Sequence, residues 1–100
     1  MASEIEIRYV ESDTKGRFST VIKGVPEEAE LTISKATPQL VIADHTFVPV
    51  ALRGSGAAKA LALHLIADAR RKKQRIVPLC PFLRAYAEKH RDALSDVIQW

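Results

Sequence analysis

The residues with most chemical reach are a thiol, an imidazole and a glycine-rich turn. The one cysteine, Cys80, stands in Pro78-Leu-Cys-Pro81, between an apolar stretch and a helical one. A helix N-terminus favours a thiolate, so Cys80 is a candidate nucleophile. A lone cysteine is also commonly a small buried hydrophobe. His45 lies in the apolar segment before the turn, and imidazole titrates near neutrality, which suits a general base. The other reading of His45 is a hydrogen-bonded residue that orders its strand with Asp44 or Thr46. His64, between Leu63 and Leu65, sits at the edge of a helical stripe. His90 ends a helix, where an imidazolium suits the dipole. No HExxH, CxxC or paired-histidine spacing occurs, so no metal site is expected.

The turn is Val48-Pro-Val-Ala-Leu-Arg-Gly-Ser-Gly-Ala-Ala58. Gly54 and Gly56 permit positive φ and close backbone approach. The helix start after them offers unpaired N–H groups and about half a positive charge. Together they form a cradle for a phosphate or diphosphate. Arg53 places a fixed cation at its rim, and Ala57 and Ala58 are too small to block it. The plainer alternative is a turn that only lets the helix pack closely. No third glycine completes a dinucleotide fingerprint, and no Gly-Lys-Ser/Thr completes a Walker loop.

The elements that must hold these groups follow from periodicity. Glu4–Val10 alternates, with Ile5, Ile7 and Tyr9 on one side. Ser12–Gly16 is turn chemistry. A strand is expected over about Arg17–Lys23, a turn from Gly24 to Glu28, and a second alternating strand over Ala29–Lys35. These form an antiparallel meander with one wet face. Leu40–Val48 runs apolar through Leu40, Val41, Ile42 and Ala43, which predicts a central strand covered on both faces. Ala58, Leu61, Ala62, Leu65, Ile66 and Ala69 form one stripe, which predicts a helix over Ala57–Lys73. Arg75–Leu79 is a short strand, and Pro81–His90 a second helix with proline in its first turn. Asp92–Ile98 is a helical or irregular tail. The fold class is therefore α+β: antiparallel strands, then one right-handed βαβ unit and a C-terminal helix.

Composition narrows the setting. The chain of 100 residues is 47% hydrophobic and 27% charged, which suits one small domain. A net charge of +3 is too mild to imply nucleic acid and suits an anionic small ligand. The run Arg70-Arg-Lys-Lys-Gln-Arg75 has no interleaved aromatic, so it reads as a solvated helix end rather than a stacking platform. A single cysteine argues for a reducing, cytoplasmic compartment. MASEIEIRYVE carries acids where a targeting signal needs a basic start. No apolar run is long enough to span a membrane. The tail ending Val97-Ile-Gln-Trp100 leaves a monomer or a weak homodimer.

Arg53-Gly-Ser-Gly56-Ala-Ala58 resembles the R-x-x-G-x-G/A acyl-CoA signature of the GCN5-related N-acetyltransferases. Asp44-His-Thr-Phe-Val-Pro49, Leu52-Arg-Gly-Ser-Gly56, Ala69-Arg70, Val77-Pro-Leu-Cys-Pro-Phe82 and Tyr86 together resemble the short, one-domain branch of that superfamily, over roughly residues 5–95. The resemblance implies a minimal acyl-CoA N-acyltransferase fold with acetyl-CoA as cosubstrate and an amine as acceptor. The diphosphate of coenzyme A would sit on Arg53, Gly54, Ser55, Gly56, Ala57 and Ala58, with Leu52 behind them. The pantetheine arm would run beside Phe47, Val48 and Val50. The strand Arg75–Leu79 would splay away and leave a wedge for the thioester, and Pro78 suits that because it cannot donate to a ladder.

Within that frame His45 would deprotonate the amine, and Cys80 would lie beside the thioester or carry the acyl group. His45 and Cys80 would approach each other if adjacent strand ends align. Larger relatives use a tyrosine to protonate the departing thiolate. Tyr86 is the nearest phenol, but counting from Cys80 that tyrosine falls at Ala87. Larger relatives also build the acceptor pocket from an N-terminal strand–helix–helix segment that this chain lacks, which implies a shallow acceptor site. Two readings follow: an N-acetyltransferase, or a module that binds coenzyme A and turns over little.

Overall fold

The computed structural model describes residues 5–22 and 24–100. Glu4 and Lys23, both expected in strands, lie outside them. Five strands form one sheet in sequence order: β1 (Ile5–Glu11), β2 (Lys15–Ile22), β3 (Ala29–Thr37), β4 (Leu40–Phe47) and β5 (Arg75–Pro78). The first four are antiparallel, and β5 joins β4 in parallel. The parallel step is made by α1 (Ala57–Lys72), and α2 (Pro81–Lys89) follows β5. The α+β class and the βαβ unit expected from periodicity are therefore present.

One face of the sheet is dry. Phe18, Leu31, Ile33, Val41, Ala43 and Ile76 bury there with Leu61, Ala62, Leu65 and Ile66 of α1. The other face carries Arg17, Glu30, Thr32, Ser34 and Asp44, all partly exposed. The continuous apolar run in β4 had suggested a strand covered twice. Instead Val41 and Ala43 are buried while Leu40 and Ile42 are only half-buried, because α1 supplies apolar cover to one side.

Two departures matter for the site. First, β4 pairs with β3 at Ile33↔Ala43 and then at Thr32↔His45, so Asp44 is an extra residue. Such a bulge reverses which face each later side chain takes. Second, pairing between β4 and β5 ends at Ala43↔Pro78. Beyond it the Cys80 N–H still donates to Ala43 O at 2.8 Å, after which no further backbone pairing joins the two strands. The lapse expected at Pro78 is where the ladder stops.

The tail is held more tightly than its composition suggests. Ile98 bridges Ile76 in parallel, Ile76 N–H donates to Val97 O, and Gln99 N–H donates to Ile76 O. The Arg75 guanidinium donates to the carbonyls of Ser95, Asp96 and Ile98 and to Gln99 Oε1. A short edge is thus added to β5.

Candidate functional site

The glycine turn forms as the residues require. After β4, Pro49 leads into one 3-10 turn, Val50–Leu52, and Arg53 returns to extended backbone. Gly54 and Gly56 take φ of 80° and 90°, the left-handed region that glycine occupies without a side-chain penalty. Leu52 and Ala57 are buried and pin the turn from both sides, which leaves Arg53 to Gly56 at the surface. A Cβ on Gly54 or Gly56 would meet nothing within 4 Å. Those positions therefore face open space rather than the body of the protein.

The N–H groups are unequal. Arg53 N–H donates to Val50 O, Ser55 N–H to Leu52 O, and Ala57 N–H to Ser55 Oγ. The N–H groups of Gly54, Gly56, Ala58 and Lys59 have no partner among the described residues. The full run Arg53–Ala58 expected to donate to an anion is thus reduced to alternate positions, because the turn uses the others to hold its shape. No acidic residue stands in the first turn of α1, so the helix dipole is not offset there. The Arg53 Nε reaches Val48 O at 3.5 Å, which folds the guanidinium along the rim.

A cleft of about 280 Å³ opens at this turn, lined by Val48, Leu52, Arg53, Gly54, Gly56, Ala57, Ala58, Lys59 and Phe82. Lys59 and Phe82 were not singled out by sequence reasoning. Lys59 lies off the apolar stripe of α1, which is the signal that it faces solvent beside the turn. Phe82 belongs to α2, and only the tertiary fold brings it here. Phe47, Val50, Leu79 and Phe82 are large apolar side chains left exposed. All four lie next in sequence to the turn or to the end of the β4–β5 ladder.

The bulge at Asp44 sorts the candidate catalytic groups. His45 shares a face with its partner Thr32 and is exposed on the open side of the sheet. Thr46 pairs with the buried Leu31 and turns inward. There its Oγ1 lies 2.9 Å from Cys80 Sγ. The juxtaposition of His45 with Cys80 is corrected: Thr46 meets the thiol, because one extra residue exchanges the two faces. Cys80 caps α2 and is 1% exposed.

Tyr86 is half-buried against the core and stacks on His90 with ring centroids 4.5 Å apart. Ala87 is fully buried. His64 is exposed and meets Phe18 edge-on at 5.6 Å. Neither His64 nor His90 lines the cleft.

The basic run lies at the far end of α1 and is largely committed. Asp68 pairs with Arg71 and Lys72, and Asp96 pairs with Arg70. Near it, burial and the hydrogen bond to Glu11 push the Tyr9 phenol up to about 12. Lys35 and Tyr9 hold Glu11 below the usual carboxylate range. Among the described residues no helix is long and apolar enough to cross a membrane, and no cluster of three metal-ligating side chains occurs.

Compared with known proteins, residues 17–97 match the family model described as GCN5-related N-acetyl-transferase. The matched span runs from β2 through the glycine turn to the tail. No curated protein matches the chain.

Proposed function

Because the chain belongs to the GCN5-related N-acetyltransferase family, we propose that it transfers an acetyl group from acetyl-CoA to an amine. The observation that carries this is the turn before α1: its unpaired N–H groups, positive-φ glycines and rim arginine meet at one cleft. Those features suit a diphosphate. We also place the chain in the short, one-domain branch, as a cytoplasmic monomer or weak homodimer.

Acetyl-CoA supplies an activated acyl group. The N–H groups of Gly54, Gly56 and Ala58 hold its diphosphate, with Arg53 and Lys59 as cations at the rim and Leu52 and Ala57 as the fixed base. Phe47, Val48 and Val50 flank the pantetheine arm. The thioester lies beyond the end of the β4–β5 ladder at Ala43 and Pro78. In the reaction a C–N bond forms, a C–S bond breaks, the amine loses a proton and the departing thiolate gains one. His45, open to solvent on the side away from α1, takes the proton from the amine. Cys80 stands behind the end of that ladder, near the thioester. Its burial favours that role over acting as a covalent nucleophile. Tyr86 is the nearest phenol for returning a proton.

The second reading, a coenzyme A-binding module of low turnover, is favoured by one feature: Ala87 offers no acid where larger relatives have one. Calorimetry with coenzyme A tests binding, and mass spectrometry of amines incubated with acetyl-CoA tests transfer. Wild-type protein is expected to bind and to acetylate, and His45→Ala to lose about 10²-fold or more in rate. Binding without product supports the module. Equal rates for wild type, His45→Ala and Cys80→Ala remove both side chains from the mechanism.

A further inference from the structure

The two edges of the sheet differ. Beyond β5 the tail closes one of them: Ile98 bridges Ile76, and Gln99 N–H donates to Ile76 O. The other edge is β1, which among the described residues pairs only with β2. Its outer side presents a row of backbone N–H and C=O groups, the arrangement that takes up a further strand.

Which strand fits is set by the side chains of β1. On the side of α1, Ile7 and Tyr9 are half-buried and pack against the core. On the open side Glu6 and Arg8 are exposed, and their neighbours in β2, Val21 and Ser19, carry no charge. The ion pairs among the described residues use neither Glu6 nor Arg8. In an antiparallel pair, residues of one face stand opposite each other, so a two-fold pairing of β1 with itself is centred on one residue. Centred on Glu6 or on Arg8, two like charges face each other, which is destabilising. Centred on Tyr9 or on Val10, Glu11 faces Ile7 or Tyr9. Centred on Ile7, Glu6 of each copy faces Arg8 of the other, and Ile7 faces Ile7. That register alone sets opposite charges together on one face and apolar side chains together on the other.

We propose that β1 pairs antiparallel with β1 of a second copy of this chain, centred on Ile7, so that the two sheets run on as one. Two reciprocal Glu6–Arg8 pairs fix the register on the open face, and Ile7 closes the side next to α1. The ladder spans Ile5–Tyr9 of each copy and leaves Glu11 with Lys35. It is smaller than the roughly 1,200 Å² of a standard interface, so association is expected at high-micromolar to millimolar concentration. This commits the chain to the weak homodimer. It does not depend on the acetyltransferase reading, since the glycine turn follows β4, three strands along the sheet.

Amide NMR spectra and rotational diffusion of the full chain, recorded from millimolar to low-micromolar concentration, test it. Dilution is expected to shift the amides of Ile5–Tyr9 and to shorten the tumbling time from that of a dimer toward that of a monomer. Arg8→Glu and Glu6→Arg each set like charges opposite one another and are expected to weaken self-association about tenfold or more. Mixed in equal parts, the two variants are expected to associate again, because every acid of one then faces a base of the other. Both substitutions stand at exposed positions, and thermal melting checks that each variant folds. Amides of β1 and a tumbling time that ignore concentration overturn the proposal, as does a mixture that associates no better than its parts. Concentration-dependent shifts confined to α2 or the tail assign the contact to another surface and overturn it too. Coenzyme A affinity is measured on the same samples and is expected to be equal in all of them. Its absence throughout ends the acetyltransferase reading and leaves the pairing of β1 standing.

Discussion

The two ends of α1 differ in how far their polar groups are satisfied. At the C-terminal end nearly every charge has a partner. Asp68 holds Arg71 and Lys72, Asp96 holds Arg70, and Arg75 binds three tail carbonyls and Gln99. At the N-terminal end, the N–H groups of Gly54, Gly56, Ala58 and Lys59 have no partner among the described residues, and Phe47, Val50, Leu79 and Phe82 stay exposed. Helix geometry leaves N-terminal N–H groups unpaired, and here they stand at an exposed turn with no acidic residue beside them, so this end is the one open to an anionic ligand under the proposed function. The difference teaches where stability and function are separated: the same helix is bolted at one end and offered at the other.

The comparison breaks if substitutions at the open end affect folding as much as binding. Gly56→Val is expected to cut coenzyme A affinity by a hundredfold or more, since it forces a branched side chain into the mouth of the cradle. It also strains the left-handed backbone by about 1–3 kcal/mol. Arg53→Glu, which carries no such strain, is expected to match the loss of affinity with an unchanged melting temperature. Calorimetry and thermal melting on both variants check this. Normal binding in both makes the turn structural only.

The reverse holds at the bolted end. Arg75→Ala removes four hydrogen bonds to the tail and is expected to cost about 1.5–3 kcal/mol. A loss of that size lowers the melting point by roughly 10 °C in a domain this small. Trp100 reports it directly, because the Arg91 guanidinium lies 3.9 Å from its ring centroid and a released tail changes its fluorescence. Coenzyme A affinity is expected to stay within about twofold of wild type, the scatter for distant independent sites.

The smallest effect is one of pH. Tyr9 titrates at about 12 in the fold against 10.0 unfolded. The folded state then holds its proton longer, so this contribution is complete below pH 10 and is lost as pH rises toward 12. Tyr9→Phe is expected to flatten the alkaline decline of stability seen in denaturant melts. A decline of unchanged slope assigns it to another group.

The elements and the turn were legible in the chain because their causes are local. The stripe Ala58 to Ala69, the alternation of Ala29–Lys35 and the pair Gly54 and Gly56 each act within a few residues, so α1, β3 and the open turn could be placed from spacing alone. Pro78 likewise marked where β5 stops pairing, since a proline has no N–H to give. What spacing could not reach was anything set by a partner strand or a second helix. The bulge at Asp44 depends on how β4 meets β3, and it alone decided that Thr46 faces the thiol while His45 faces solvent. Phe82 joined the cleft, and Arg75 the tail, through contacts between distant parts of the chain. Local propensity fixes what each segment is. Only packing fixes which side of it is in and what it touches, because a slip of one residue in a strand changes no propensity and reverses every face beyond it.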